Sequence, residues 1–127
     1  MEFDAVLLPA RRAQMIQQGL WHDRTINDDL QACLSACPEK LAVSAYRLET
    51  GDLRRFTYRE LGQMADRVAV GLHRLGVRKN DVVACQLPNW WQFTVTYLAC
   101  SRIGAVINPL MHIFRERELN FMLKHGE

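Results

Sequence analysis

No uninterrupted apolar run in the sequence approaches the ~18 residues a helix needs to cross a bilayer, which excludes a membrane-spanning helix. Net charge is small: 16 basic against 14 acidic side chains leave +2, spread along the chain, so no basic patch points to nucleic acid. Cysteine is scarce, and Cys33, Cys37, Cys85 and Cys100 all sit in apolar contexts of predicted helices or a strand. Free thiols are expected rather than a disulfide scaffold. Cys33 and Cys37, at helical spacing, amount to half a metal site, but His22, His73, His112 and His125 show no paired ligand spacing, so no zinc centre is predicted. The lack of clustered glycine bears most on function. A phosphate cradle needs glycines and hydroxyls whose backbone N–H groups converge on an anion. Here 7 glycines are scattered, and neither G-x-x-x-x-G-K-[ST] nor G-x-G-x-x-G occurs.

What is present fits one domain: 127 residues, 49% hydrophobic, enough for a core. The opening MEFDAVLLPARR places acids before a short apolar run and has no basic leader, which predicts no signal peptide and a cytoplasmic location. The chain centres on residues 81–110, DVVACQLPNWWQFTVTYLACSRIGAVINPL, which read as strand, turn, helix and strand. Residues 82–87 are a nearly continuous apolar run of strand length, the pattern of a strand covered on both faces in a parallel sheet. Pro88-Asn89 stops it, because proline has no N–H to donate and asparagine tolerates turns. The helix predicted over residues 91–102 is apolar nearly all round, which predicts burial, and Gly104 ends it. Residues 105–108, closed by Pro109, supply a second strand, predicted to return parallel and right-handed. The result is an α/β class built on one βαβ unit.

Upstream, Pro9 opens a helix that Gly19 ends, expected as a surface arm. Trp21 follows it and is expected to anchor in a groove on the protein or on a partner. Thr25 caps a second helix, with Asp28 and Asp29 in its first turn and Ile26, Leu30, Cys33, Leu34 and Cys37 as its apolar stripe, closed by Pro38. Residues 41–48 and 53–56, joined by Glu49-Thr50-Gly51-Asp52, read as a β-hairpin. Thr57 and Glu60 form a capping box that opens a long helix. Leu61, Ala65, Val68, Ala69, Leu72 and Leu75 are its inner face, and Gly76 ends it. Gly62 and Gly71 each cost on the order of 1 kcal/mol inside a helix, which predicts close packing there, against the sheet. After a transition over residues 111–114, a last helix is predicted over 115–124, ending at His125-Gly126.

The run from Leu75 to Leu110, preceded by Thr57-x-x-Glu60-Leu61, resembles the amino-terminal signature of AMP-forming acyl-CoA synthetases and their adenylating relatives. The shared features are Leu75-Gly76-Val77 ahead of Asp81, then Leu87-Pro88-Asn89, then Gly104-Ala105-Val106 ahead of Asn108-Pro109-Leu110. The resemblance is close over residues 56–123. Residues 11–23, RRAQMIQQGLWHD, are similar to short- and medium-chain fatty acyl-CoA synthetases and alicyclic-acid ligases such as those for cyclohexanecarboxylate. The resemblance implies part of the amino-terminal subdomain of the adenylate-forming fold. Residues 1–40 would be a helical arm and 41–127 the first, incomplete part of the large AMP-binding domain. It also implies a parent enzyme that converts a carboxylate, ATP and CoA into acyl-CoA, AMP and pyrophosphate through an acyl-adenylate, with Mg²⁺ neutralising the phosphates. The family's Ser/Thr/Gly-rich loop and its lysine, its Tyr-Gly-x-Thr-Glu segment, its ribose-binding aspartate and its carboxy-terminal lysine have no counterpart here. They are expected beyond Glu127.

No residue is therefore carried over as catalytic, cofactor-binding or metal-binding, and the chain by itself is expected to be inactive. His73 has no evident nucleophile or carboxylate partner and is expected to be structural. Trp90 and Trp91 are expected to pack against the sheet rather than wall an acyl pocket. Arg115, Glu116, Arg117 and Glu118 read as a solvated face, and Asn89 and Asn108 as turn residues. Val83, Leu98, Val106 and Leu72 are predicted core. An uncovered strand edge and apolar face predict a homodimer. The rival reading, from another class, is a self-sufficient binding or assembly module on the same scaffold without ligase chemistry.

Overall fold

The computed structural model describes residues 8–22 and 24–125. The leader expectation rests on residues 1–7 and the last helix stop on Gly126; both lie outside the described residues. The elements in order are α1 (Pro9–Gln17), α2 (Ile26–Ala36), β1 (Leu41–Arg47), β2 (Asp52–Thr57), α3 (Tyr58–Arg74), β3 (Val82–Cys85), α4 (Trp91–Ile103), β4 (Val106–Pro109) and α5 (Glu116–His125). The α/β reading holds, and so does the βαβ unit: β3 pairs with β4 in parallel, Val82 opposite Val106 through Cys85 opposite Pro109. β1 and β2 form the antiparallel hairpin, with one register irregularity between Leu41 and Val43. Gly51 turns it at φ 73°, a conformation that favours glycine.

Local chemistry sets the helix starts. Pro9 stands in the first turn of α1, where its missing N–H would have had no partner. Thr25 and Asp28 form a full capping box on α2, and Thr57 and Glu60 do the same on α3. In the second, Thr57 N–H donates to Glu60 Oε2 at 2.8 Å and Glu60 N–H donates to Thr57 Oγ1 at 3.2 Å. The amides of Tyr58 and Arg59 also donate, at 3.1 and 3.0 Å, to the carbonyls of Lys40 and Pro38, tying α3 to the link between α2 and β1. Gly104 closes α4 in the left-handed region at φ 71°.

The core is Leu30 of α2, Leu61 and Ala65 of α3, and Val95 and Leu98 of α4, with Leu34, Val43, Tyr58, Met64 and Trp91 packed around it. Of residues 1–40, α1 therefore stands off the core, with no buried residue, whereas α2 packs into it. Asn27 Nδ2 donates to Ser101 Oγ at 2.9 Å, joining α2 to the end of α4.

Several expectations are corrected. β3 ends at Cys85, two residues short of Leu87, and it is not covered on both faces: Ala84 is exposed and Val82 and Val83 are only half-buried. A two-stranded sheet with a helix on one side leaves its other side open. Of the four predicted core residues, Leu98 is buried, while Val83, Val106 and Leu72 are half-buried. Leu75, placed on the inner face, is 83% exposed because the helix has already ended at Arg74. Ile26 begins the α2 stripe but is exposed, and Tyr97 opens one side of α4 to solvent. Asn108 is a strand residue opposite Ala84, not a turn residue. Gly62 is closely packed as expected, but against Leu34 of α2 rather than a sheet, and Gly71 has no neighbour within 4 Å of where a Cβ would stand.

Candidate functional site

In open parallel α/β sheets, ligands lie at the carboxyl ends of the strands, so the exits of β3 and β4 are the place to look for chemistry. There Leu110 N–H donates to the Cys85 carbonyl at 2.9 Å, extending the pairing by one rung. The Gln86 amide, the next residue, donates to the carbonyls of Met111 at 3.1 Å and Phe114 at 2.9 Å. One side chain thus fastens the exit of β3 to the turn leading into α5. Leu87-Pro88-Asn89 then swings the chain into α4, with Trp90 as its N-cap residue.

The two tryptophans at this turn have different neighbours. Trp91 packs on the core and meets Phe56 of β2, ring centroids 5.1 Å apart and tilted by 55°. Trp90 lies under the guanidinium of Arg47 of β1, 3.9 Å from the ring centroid, a cation–π contact. Both pack, as expected, although against the hairpin rather than the parallel pair. The cavity they share with Ala45, Tyr46, Arg47, Asn89 and Gln92 holds about 30 Å³. Between the described residues that leaves room for little more than a water molecule.

The remaining candidates stay apart. His73, His22 and His112 are exposed, and His125 lies against the Phe121 ring at 4.3 Å between centroids. Burial pushes the Cys85 thiol up, and burial together with the neighbouring Cys85 pushes Cys100 up, so both are kept as neutral thiols. The Tyr58 hydroxyl is also held up, first by its hydrogen bond with Cys33. Arg102 Nε lies 2.9 Å from Asp66 Oδ1 across α3 and α4, with the Arg102 side chain only 15% exposed. That ion pair joins two helices. The alternating charges Arg115, Glu116, Arg117 and Glu118, at the start of α5, are solvent-exposed. Trp21 is exposed at 41% and borders an open depression with Leu20, His22, Arg24 and Asp29, so the described residues do not bury it.

The residues described do not fit a nucleotide or its metal. Gly19, Gly51, Gly76 and Gly104, the described glycines at positive φ, lie in four separate turns and share no loop. Among the described residues no three His, Cys, Asp or Glu side chains come together. Sequence reasoning missed the Arg47–Trp90 stack and the Gln86 fastening, which depend on tertiary placement. It also missed the left-handed Asn80 at φ 71°, for which the Lys79-Asn80-Asp81 turn composition was a usable signal.

Comparison with known proteins decides the lineage that the motifs suggested. The family described as AMP-binding enzyme matches residues 30–127. The chain belongs to that family.

Among curated proteins, the chain is similar to the medium-chain fatty-acid–CoA ligase of Escherichia coli (strain K12), 41% identical over 113 residues, covering 89% of this chain and 19% of that one. It is also similar to the salicyl-AMP ligase / salicyl-S-ArCP synthetase of Mycobacterium tuberculosis, 39% identical over 110 residues, covering 84% of this chain and 18% of that protein. Among solved structures, Klebsiella oxytoca NpsA in complex with 3-hydroxyanthranilyl-AMSN superimposes with a TM-score of 0.72 at 25% identity, covering 83% of this chain and 20% of that one. The NpsA N-terminal subdomain superimposes with a TM-score of 0.71, over 81% of this chain and 25% of that structure. The chain of this AMP-binding family member thus spans about a fifth of the length of the curated relatives it matches.

Proposed function

We propose that these 127 residues are the opening portion of an ATP-dependent, AMP-forming carboxylic acid–CoA ligase. The reading includes short- or medium-chain fatty or alicyclic acids as substrates, CoA as acyl acceptor, Mg²⁺ with the ATP, and a cytoplasmic setting. The observation that carries it is the 41% identity to a medium-chain fatty-acid–CoA ligase over nearly the whole of this chain and the first-strand architecture of an adenylating subdomain. The salicyl-AMP ligase similarity keeps aryl acids as the competing substrate class. No helix among the described residues is long and apolar enough to cross a membrane, which is compatible with this setting.

In this reading the chain supplies scaffold. Its βαβ unit, capping boxes and helix core hold a sheet onto which further strands add, and no residue of its own takes a catalytic, nucleotide-binding or metal-binding role. Alone, it pairs with a second copy through the open side of β3–β4 and the exposed Phe121 and Leu123 of α5.

A chimera tests the proposal: residues 30–127 replace the matching segment of the Escherichia coli medium-chain fatty-acid–CoA ligase. The expected result is a soluble ligase that still forms acyl-CoA. A folded chimera that binds its substrates but forms no acyl-adenylate would contradict the proposal.

A further inference from the structure

Cys33 and Cys37 lie one helical turn apart at the end of α2, and the ligase reading makes no use of either. Both are free and half-buried, whereas Cys85 and Cys100 are buried. The Cys37 amide donates to the Cys33 carbonyl at 2.9 Å, but Cys37 itself is the C-cap residue, at φ −150° and ψ 59°, outside helical geometry. Residues one turn apart within a helix hold their Cβ atoms ~5–6 Å apart, and a disulfide needs ~3.5–4.5 Å. Closure therefore takes a shift on the order of 1 Å, which a helix interior resists and a cap residue can supply.

The surroundings make such a shift consequential. The chain leaving Cys37 carries the Pro38 and Lys40 carbonyls, which accept the Arg59 and Tyr58 amides at 3.0 and 3.1 Å. Moving Cys37 thus pulls on the first turn of α3 through these two bonds, next to the Thr57–Glu60 capping box.

We propose that Cys33 and Cys37 are a redox-sensitive pair that a peroxide closes into an intrahelical disulfide, loosening the first turn of α3. One thiolate attacks a peroxide oxygen and the O–O bond breaks, releasing water once the departing oxygen is protonated and leaving a sulfenic acid. The second thiol displaces that hydroxyl as water and forms the S–S bond. Two thiols and one hydrogen peroxide thus give one disulfide and two waters, a two-electron exchange. A bridge that bends a helix end belongs to the readily reduced class, so a thiol reductant reopens it.

Tryptic cleavage after Arg24 and Lys40 releases residues 25–40, which hold Cys33 and Cys37 and no other cysteine. The test treats the full 127-residue chain with hydrogen peroxide, blocks remaining thiols with iodoacetamide and weighs that peptide. The expected peptide has lost two hydrogens, carries no alkyl label and regains both thiols with glutathione. Amide exchange at Tyr58 and Arg59 should quicken by about 5-fold in the oxidised chain and stay unchanged in peroxide-treated Cys33→Ser. Recovery of two alkylated thiols, of sulfinic acid without a bridge, or of a disulfide between chains would overturn the proposal. So would a bridge that leaves exchange at Tyr58 and Arg59 unaltered. The wild-type mass reading needs no variant, so it stands even where the serine variant fails to fold.

Discussion

Burial separates the four thiols into two classes. Cys85 and Cys100 are enclosed and pushed up by desolvation, so the thiolate that reacts with an alkylating reagent is rare and shielded. In the reduced chain, iodoacetamide should label Cys33 and Cys37 first and reach Cys85 and Cys100 only on unfolding. Early labelling of Cys100 would show that α4 is not packed as described. Asp28 offers a pH test of its cap. The Thr25 amide first, and then its hydroxyl, hold the Asp28 carboxyl below the ordinary carboxylate range. A depressed folded value means the cap's contribution is complete above the unfolded value, about 4, and is lost as pH falls through the folded one. Asp28→Asn should therefore be less stable than the parent chain at neutral pH, with the difference shrinking as pH falls through the folded Asp28 value, so that the variant shows a shallower acid-side fall. An identical acid limb in the variant would contradict the capping assignment. At the second box, Thr57→Ala should cost about 1 kcal/mol in denaturant unfolding.

The two glycines of α3 give a matched pair at the scale of the helix. Gly71 has open space around it, so Gly71→Ala should stabilise by up to about 1 kcal/mol through helix propensity alone. At Gly62 the new methyl would meet the Leu34 methyls at 3.1 Å, so that gain should be cancelled or reversed. Equal stabilisation by both changes would mean α2 does not lie against α3. Leu98→Ala should cost ~2–4 kcal/mol, and Leu72→Ala, at a half-buried site, distinctly less. These contrasts mark what was legible in the sequence. Helix starts were readable because capping is local chemistry, and the βαβ order because Pro88, Gly104 and Pro109 punctuate an apolar text. Degree of burial was not readable: a strand's residues do not reveal how many layers cover it, so Val83 and Val106 read as core and are half-buried. The reason for Gly62 was missed because it lies in a neighbouring helix 28 positions away, at Leu34. The candidate site was legible mainly as an absence of phosphate-binding pattern, and the Arg47–Trp90 stack was invisible because hairpin and helix meet only in the fold.

For the whole molecule, the sheets matter most. Two separate pairs, β1–β2 and β3–β4, leave edges and one apolar side uncovered, and two-stranded pairs are marginal without further strands or a packed helix. α3 and α4 supply that support on one side only. The scaffold therefore belongs to the AMP-binding family by sequence and shape, while its described residues assemble no anion cradle and no metal cluster. The most direct measurement is ATP–pyrophosphate exchange by the purified 127-residue chain with short- and medium-chain acids, CoA and Mg²⁺ present. Exchange should be no higher than in buffer, with activity returning only when the segment stands within a whole ligase. Acid-dependent exchange by the chain alone would contradict that, because catalytic groups would then have to lie within a stretch read here as scaffold.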